Sequence, residues 1–165
     1  MITTSWENRN TIVAHLLNPA FCGEILRTAV QSYNKNSNSK FPFLFTFIIL
    51  PILLHNDTRK KMPRSTRTYL FSWVEENDEL FFDFGNRTKS LVKYTKEAVM
   101  FLLLYKKIEL TSNGELIAST ISRKKNEDED FEEYNDIMKK AEMLGKWLSM
   151  TNDVKSIYSF FRITP

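Results

Sequence analysis

Apolar residues recur three or four positions apart along most of this chain, which is the spacing of one face of an α-helix. Asn18-Pro19 opens the clearest example, because Asn is a favoured N-cap and Pro is favoured at the first helical position. The face of that helix predicted to be buried consists of Cys22, Ile25, Leu26, Ala29, Val30 and Tyr33. The same spacing predicts further helices around Ile12–Leu17, Tyr69–Val74, Leu80–Val92, Thr95–Lys107, from Phe131 onward and around Ile157–Phe161.

The most hydrophobic stretch is Phe41–Leu54, in which Thr46 is the only polar residue. A bilayer-spanning helix needs about 20 apolar residues, so this run of 14 is too short and predicts no membrane contact. It predicts instead a buried central helix from about Phe43 to Asn56, kinked at Pro51.

The clearest β-strand signal lies between Ile108 and Ala118. Asn113-Gly114 separates two short segments of alternating character, Ile108–Leu110 and Glu115–Ala118, which predicts a hairpin at about 108–119. Three predicted helices followed by this hairpin, over about residues 66–119, give the element order of a winged helix. Such an order raises the possibility of DNA reading.

In a winged helix, Lys96–Lys107 would be the helix that enters the DNA groove. Its sequence does not suit that role, because Val99–Leu104 is uninterrupted apolar sequence and base contacts need polar side chains. We expect this helix to contact protein. With few glycines and prolines, the chain is predicted to be mainly α. We expect one compact domain over 1–165, with a winged-helix-like part at 66–119, a charged flexible segment at 120–130 and C-terminal helices at 131–165.

Charge is unevenly distributed. The formal net charge is +3, yet seven acidic residues lie between 127 and 136, so the rest of the chain is strongly basic. Such a surface either contacts an anionic partner such as double-stranded DNA or is an ordinary solvated surface. The candidate phosphate contacts are Arg59, Lys60, Lys61, Arg64 and Arg67, with Arg87, Lys89, Lys93 and Lys96 as a second group. Arg87, one turn after Phe84, is alternatively a buried arginine paired with a carboxylate.

No catalytic, cofactor-binding or metal-binding constellation is evident. His15 and His55 lack a partner at metal-ligand spacing, and a single cysteine, Cys22, excludes an internal disulfide. We expect Cys22 to pack as a small apolar residue, and His55 to cap backbone carbonyls or pair with Asp57. A hydrolase that uses His55 and Asp57 is the remaining enzymatic alternative. No N-terminal targeting pattern is present, so we expect a cytoplasmic protein.

Several short blocks occur in order along the chain: Trp6–Arg9, Leu17–Gly23, Leu50–His55, Thr58-Arg59, Met62-Pro63, Tyr94–Ala98, Leu144–Trp147 and Ile157-Tyr158. Together these blocks resemble the middle component of bacterial ABC-three-component systems, which are related to Lamassu-type defence. The resemblance covers about residue 5 to the C-terminus. It departs at Lys146, where arginine is expected, and at Arg162–Pro165, where a preceding glycine is expected.

The resemblance implies a non-catalytic adaptor in an anti-phage or anti-plasmid complex. It would contact an SMC- or Rad50-like ABC ATPase and an effector subunit, often a nuclease. The alternative is a stand-alone winged-helix DNA-binding transcriptional regulator. The candidate partner contacts, about half of which we expect to be buried within the domain, are Phe101, Leu104, Tyr105, Trp147 and Tyr158.

Overall fold

A computed structural model describes residues 10–121, 131–151 and 153–164, so residues 122–130 of the expected flexible segment lie outside the described residues. The described residues are mainly α-helical with a small antiparallel sheet, as predicted. The strands are β1 (Phe41–Pro42), β2 (Ile108–Leu110) and β3 (Glu115–Ala118). The helices are α1 (Thr11–Leu16), α2 (Pro19–Asn36), α3 (Thr46–Leu53), α4 (Asn56–Lys61), α5 (Leu70–Glu76), α6 (Phe84–Leu104), α7 (Glu132–Thr151) and α8 (Val154–Phe160).

Helix α2 is the element against which the longest helices pack. Its start is as predicted, since the Asn18 side chain accepts a hydrogen bond from the Ala20 N–H at 2.8 Å and Pro19 is the first helical residue. The apolar face predicted for this helix is buried. Helices α6 and α7 both pack on α2, and glycine lies at each close approach. A Cβ at Gly145 on α7 would lie 2.2 Å from the Ala29 carbonyl oxygen, so only glycine fits there.

The long apolar run forms the other half of the core. Nearly all of α3 is buried, which confirms the buried helix predicted there. It is shorter than predicted, because Phe43–Phe45 forms a 3₁₀ turn and α3 ends at Leu53. The basic residues that follow begin a new helix, α4, and are not a simple connector. Among the described residues, none of the helices combines the length and apolarity needed to cross a bilayer.

The predicted hairpin is confirmed. Strands β2 and β3 pair antiparallel, with Leu110 opposite Leu116, and Gly114 adopts φ +73° in the loop, a backbone conformation that favours glycine. The sequence did not predict β1, which pairs with β3 and makes β3 the central strand. Phe41 in β1 is fully buried, so this short strand ties the start of the apolar run to the hairpin.

The three-helix order expected before the hairpin is wrong. The two helices predicted at Leu80–Val92 and Thr95–Lys107 are one continuous helix of 21 residues, α6, preceded by a 3₁₀ turn at Asp78–Phe81. Thr95 lies buried in the middle of this helix and caps nothing. Lys93-Tyr94 contains no glycine or proline to end a helix, so the helix continues through it. The winged-helix interpretation is therefore not confirmed.

We expect Gly145→Ala to lower the free energy of unfolding by about 1–3 kcal/mol, the usual range for overpacking a tight contact. The added methyl group would meet the Ala29 backbone, which cannot move without displacing α2. Urea unfolding followed by circular dichroism measures the change.

Gly85→Ala is the matched control, because Gly85 is also helical but its Cβ would meet only Ile163 at an ordinary 3.6 Å. The free energy of unfolding of this variant should rise by up to about 1 kcal/mol, because alanine has a higher helix propensity than glycine. Equal effects of the two substitutions would contradict close packing at Gly145.

Candidate interaction surfaces

The basic segment, residues 55–67, is fixed to the rest of the protein through its backbone. The Trp73 indole N–H donates to the Lys61 carbonyl at 2.8 Å, and the Trp147 indole N–H donates to the Thr68 carbonyl, directly after the segment, at 2.8 Å. The two indole rings stack with centroids 5.3 Å apart. The carbonyl of Lys61 therefore points towards α5, and that of Thr68 points towards α7.

A third donor, Lys140 on α7, binds the two residues of the basic segment that follow Lys61. Its Nζ donates to the carbonyls of Met62 at 3.0 Å and Pro63 at 2.9 Å. Burial lowers the pKa of Lys140, and the negative charge of Asp136 partly offsets that effect. The carbonyls of Lys61, Met62 and Pro63 are therefore all occupied by side-chain donors from α5 and α7, which fixes the backbone of the segment at this point.

Arg59 is the exception among the cations of the basic segment. Its side chain is only 4 % exposed, and it donates to the Leu53 carbonyl at 2.8 Å, to Glu133 at 2.6 Å and to Asp136 at 3.2 Å. It therefore joins the end of α3 to the start of α7 and is not available to a phosphate group. In the sequence, the feature that could have indicated this pairing is the acidic pair Glu133 and Asp136, three positions apart on one helix face.

The other four cations of the candidate phosphate-contacting set are exposed. Lys60, Arg64 and Arg67 lie on the surface, and Lys61, half exposed, pairs with Glu79 at 2.6 Å. This arrangement leaves Lys60, Arg64 and Arg67 as the cations best placed to meet an anionic partner.

The candidate protein contacts on α6 form an exposed apolar patch, which we define as Met100, Phe101, Leu104 and Tyr105. Leu104 is 76 % exposed and Tyr105 is 58 % exposed. Phe101 is half buried and packs on Tyr105, with the centroids of the two rings 4.6 Å apart. Met100, 66 % exposed, was missed in the sequence, although its position one turn before Leu104 places both on one helix face. Exposed large apolar groups clustered in this way are typical of a protein interface.

Trp147 and Tyr158, the other two candidate contacts, belong to the core. Trp147 is 1 % exposed and Tyr158 5 %. The Tyr158 hydroxyl donates to the Leu44 carbonyl at 2.6 Å, and burial raises its pKa to about 12. Both residues hold helices together, so they are not available as partner contacts in this structure.

Arg87 differs from the remaining cations of the second basic group. Its guanidinium lies 5.2 Å from the centre of the Phe84 ring and donates to the Leu80 carbonyl at 3.1 Å. Within the described residues it thus bonds a carbonyl and not the carboxylate that was the alternative in the sequence. Burial lowers its pKa, and the charge of Asp83 opposes that shift. Lys89 and Lys96, two turns apart on the same helix, are exposed.

The chemistry around His55 is structural. Its Nδ1 accepts from the Thr58 N–H at 3.3 Å and lies 2.7 Å from the Thr58 hydroxyl, so it caps the N-terminus of α4 and not a set of carbonyls. Burial lowers the pKa of His55, as does the positive charge of Arg87, which favours the neutral ring that can accept this bond. The negative charge of Asp57 opposes this lowering of the pKa of His55.

Cys22 packs in the core, as predicted. It is fully buried, and burial raises the pKa of its thiol to about 12, so the thiolate is scarce at neutral pH. Among residues 10–121, 131–151 and 153–164, no three His, Cys, Asp or Glu side chains lie close enough to hold a metal ion.

Comparison with protein families gives a match over residues 6–165 to the family described as the ABC-three component system Middle Component 3. Comparisons with curated proteins and with solved structures give no match. The family match covers nearly the whole chain, including the basic segment, the apolar patch and the C-terminal helices.

We expect Arg59→Met to lower the free energy of unfolding by about 1–3 kcal/mol, because the buried Leu53 carbonyl loses its donor. The ion pair with Glu133 adds little, since that carboxylate is 75 % exposed. Urea unfolding measures the change. Arg64→Met, at an exposed position in the same segment, is the control and should stay within about 0.5 kcal/mol of the parent. Similar values for both variants would show that Arg59 has no structural role.

Proposed function

The chain belongs to the middle component 3 family of ABC-three-component systems, and on that premise we propose that it is a non-catalytic adaptor subunit of a defence complex acting against phage or plasmids. The family name places the chain among other components of one system. In the proposed complex, it bridges an SMC- or Rad50-like ABC ATPase dimer and an effector subunit, often a nuclease.

The observation that supports this proposal most is the exposed apolar patch at the C-terminal end of α6. Met100, Leu104 and Tyr105 are each more than half exposed, and exposing such groups to water is unfavourable unless a partner covers them. The patch lies on a helix fixed to α2, where Gly23 allows close contact with Leu102. A preformed apolar surface of this kind suits the centre of a protein interface.

Contact with DNA held by the complex is the second part of the proposal. Lys60, Arg64 and Arg67 are exposed on a segment whose backbone is held at Met62 and Pro63 by Lys140. Cations on one segment favour sequence-independent binding to a phosphate backbone. Arg59 is excluded from this set because it is buried in the Leu53, Glu133 and Asp136 contact.

The adaptor function is tested by co-expressing the tagged chain with its genomic neighbours and measuring the mass of the intact assembly. We expect an ATPase and a second subunit at a fixed ratio. Leu104→Asp should weaken binding of a partner by about 30-fold or more, the loss typical of an interface hot spot.

Phe82→Asp is the matched control for Leu104→Asp, because Phe82 is 78 % exposed but lies outside the apolar patch. Unchanged assembly with Leu104→Asp would exclude the patch as an interface. A chain recovered alone from the co-expression would overturn the adaptor itself.

For the DNA contact, we expect the triple variant Lys60→Glu, Arg64→Glu, Arg67→Glu to weaken binding of the whole complex to a labelled duplex. The dependence of log affinity on log salt should become shallower by about 0.9 for each phosphate that the variant no longer neutralises. The combined variant Lys139→Glu, Lys146→Glu, Lys155→Glu, at three exposed positions on α7 and α8, changes the net charge by the same amount and is the control. Equal weakening in both variants would exclude a specific basic surface, and duplex binding by the isolated chain would favour the transcriptional regulator.

A further inference from the structure

A groove with a volume of about 570 Å³ runs between residues 85–96 of α6 and the residues that follow α8. Its long wall is the α6 face on which Lys89, Val92 and Lys96 succeed one another, and its other wall contains Arg162 and Ile163. We call it the basic groove. Its lining residues from α6 are Gly85, Asn86, Thr88, Lys89, Val92 and Lys96, and the others are Phe47, Tyr158, Arg162, Ile163 and Thr164.

Positive charge dominates the basic groove. Lys89, Lys96 and Arg162 are exposed at its rim, and no acidic residue is among the described residues that line it. Lys89 and Lys96 lie seven positions apart, which separates them by about 10 Å along the helix, with Val92 between them. Thr88, which also lines the groove, has a buried hydroxyl without a hydrogen-bond partner within the described residues.

Arg162 occupies a backbone position at which glycine is favoured. Its φ is +54°, and the Ile163 N–H donates to the Tyr158 carbonyl at 3.1 Å, which is the bond pattern of a helix end with a left-handed residue. An arginine in this conformation is disfavoured relative to glycine. The strained position places a third cation opposite Lys89 and Lys96.

The remaining lining residues indicate which kind of anion the groove accepts. Val92, Ile163 and Phe47 are half buried and supply apolar contact area, while the Tyr158 hydroxyl is already bonded to Leu44. Binding of a single nucleic acid strand relies on several exposed aromatic rings that stack on successive bases, whereas the described lining residues include only half-buried Phe47 and buried Tyr158. Apolar area flanked by cations matches a polypeptide that alternates apolar and acidic side chains.

We infer that the basic groove binds an acidic, amphipathic polypeptide segment of another subunit of the complex. Its carboxylates would pair with Lys89, Lys96 and Arg162, and its apolar side chains would cover Val92 and Ile163. This inference rests on the proposed adaptor function. It adds a second contact surface on α6, which adjoins the apolar patch because Lys96 lies one turn before Met100.

The test uses the co-expressed complex and three variants, Lys89→Glu, Lys96→Glu and Arg162→Gly. Each should weaken the partner's binding by at least fivefold, and raising salt should reduce the difference from the parent. Arg162→Gly is the most informative of the three variants, because it should raise the unfolding temperature of the isolated chain and at the same time weaken binding in the complex. Weaker binding by this variant thus has no explanation in reduced stability.

Lys146→Glu, exposed on α7 and outside the groove, is the charge-matched control and should leave binding unchanged. A photo-crosslinking residue at position 89 in the purified complex then identifies the occupant by mass spectrometry. A crosslink to an acidic, apolar-rich stretch of a partner subunit supports the inference. A crosslink to nucleic acid, to this chain itself, or to nothing overturns it.

The two proposals are distinguishable. Intact binding in all three groove variants together with loss of binding in Leu104→Asp would overturn the groove inference and leave the adaptor function standing. Recovery of the chain without partners would overturn both.

Discussion

The close contact between α2 and α7 at Gly145 is the constraint on which the rest of the structure depends. With no side chain at this position, the α7 backbone approaches the Ala29 carbonyl closely enough to exclude any Cβ. That approach lets Met138, Ala141 and Leu144 bury fully against α2. It also sets the position of Trp147, two residues further on, whose indole fixes the end of the basic segment. A shift of α7 would therefore alter both the core and the presentation of the surface cations.

Helix α6 connects the two surfaces proposed to bind partners. Residues 85–96 of this helix line the basic groove, its C-terminal end holds the apolar patch, and Leu102 near that end packs on Gly23 of α2. A continuous helix of 21 residues spans about 30 Å and keeps both surfaces at a constant separation. Two separate helices, as the sequence suggested, would have allowed the surfaces to move independently.

Sequence reasoning predicted the structural features that depend on local residue spacing. It failed for the features that depend on contacts between residues far apart in the chain. The buried face of α2 and the Asn113-Gly114 hairpin followed from periodicity and turn chemistry. The continuity of α6 was missed because Thr95 is a common N-cap but also fits a buried helix position. The role of Arg59 depends on Glu133, 74 positions away, and no local pattern separates it from Arg64 in the same basic segment. The sequence around Trp147 was compatible with a core position and with a partner contact. In the structure its indole ring stacks on that of Trp73, which shows that Trp147 belongs to the core.

The distance along the chain between α2 and α7 has a consequence for biosynthesis. Ser32 on α2 donates to the Glu142 carbonyl on α7, 110 positions later, so the contact cannot form until the C-terminal part has been made. Until then the sides of α2 and α3 that later pack on α7 have no cover, and nascent chains with uncovered apolar faces are prone to aggregate. Contacts between such distant residues also slow folding. The hydrophobic run that later stabilises the core is thus a liability on the ribosome, which makes early shielding by a chaperone or a co-translated subunit advantageous.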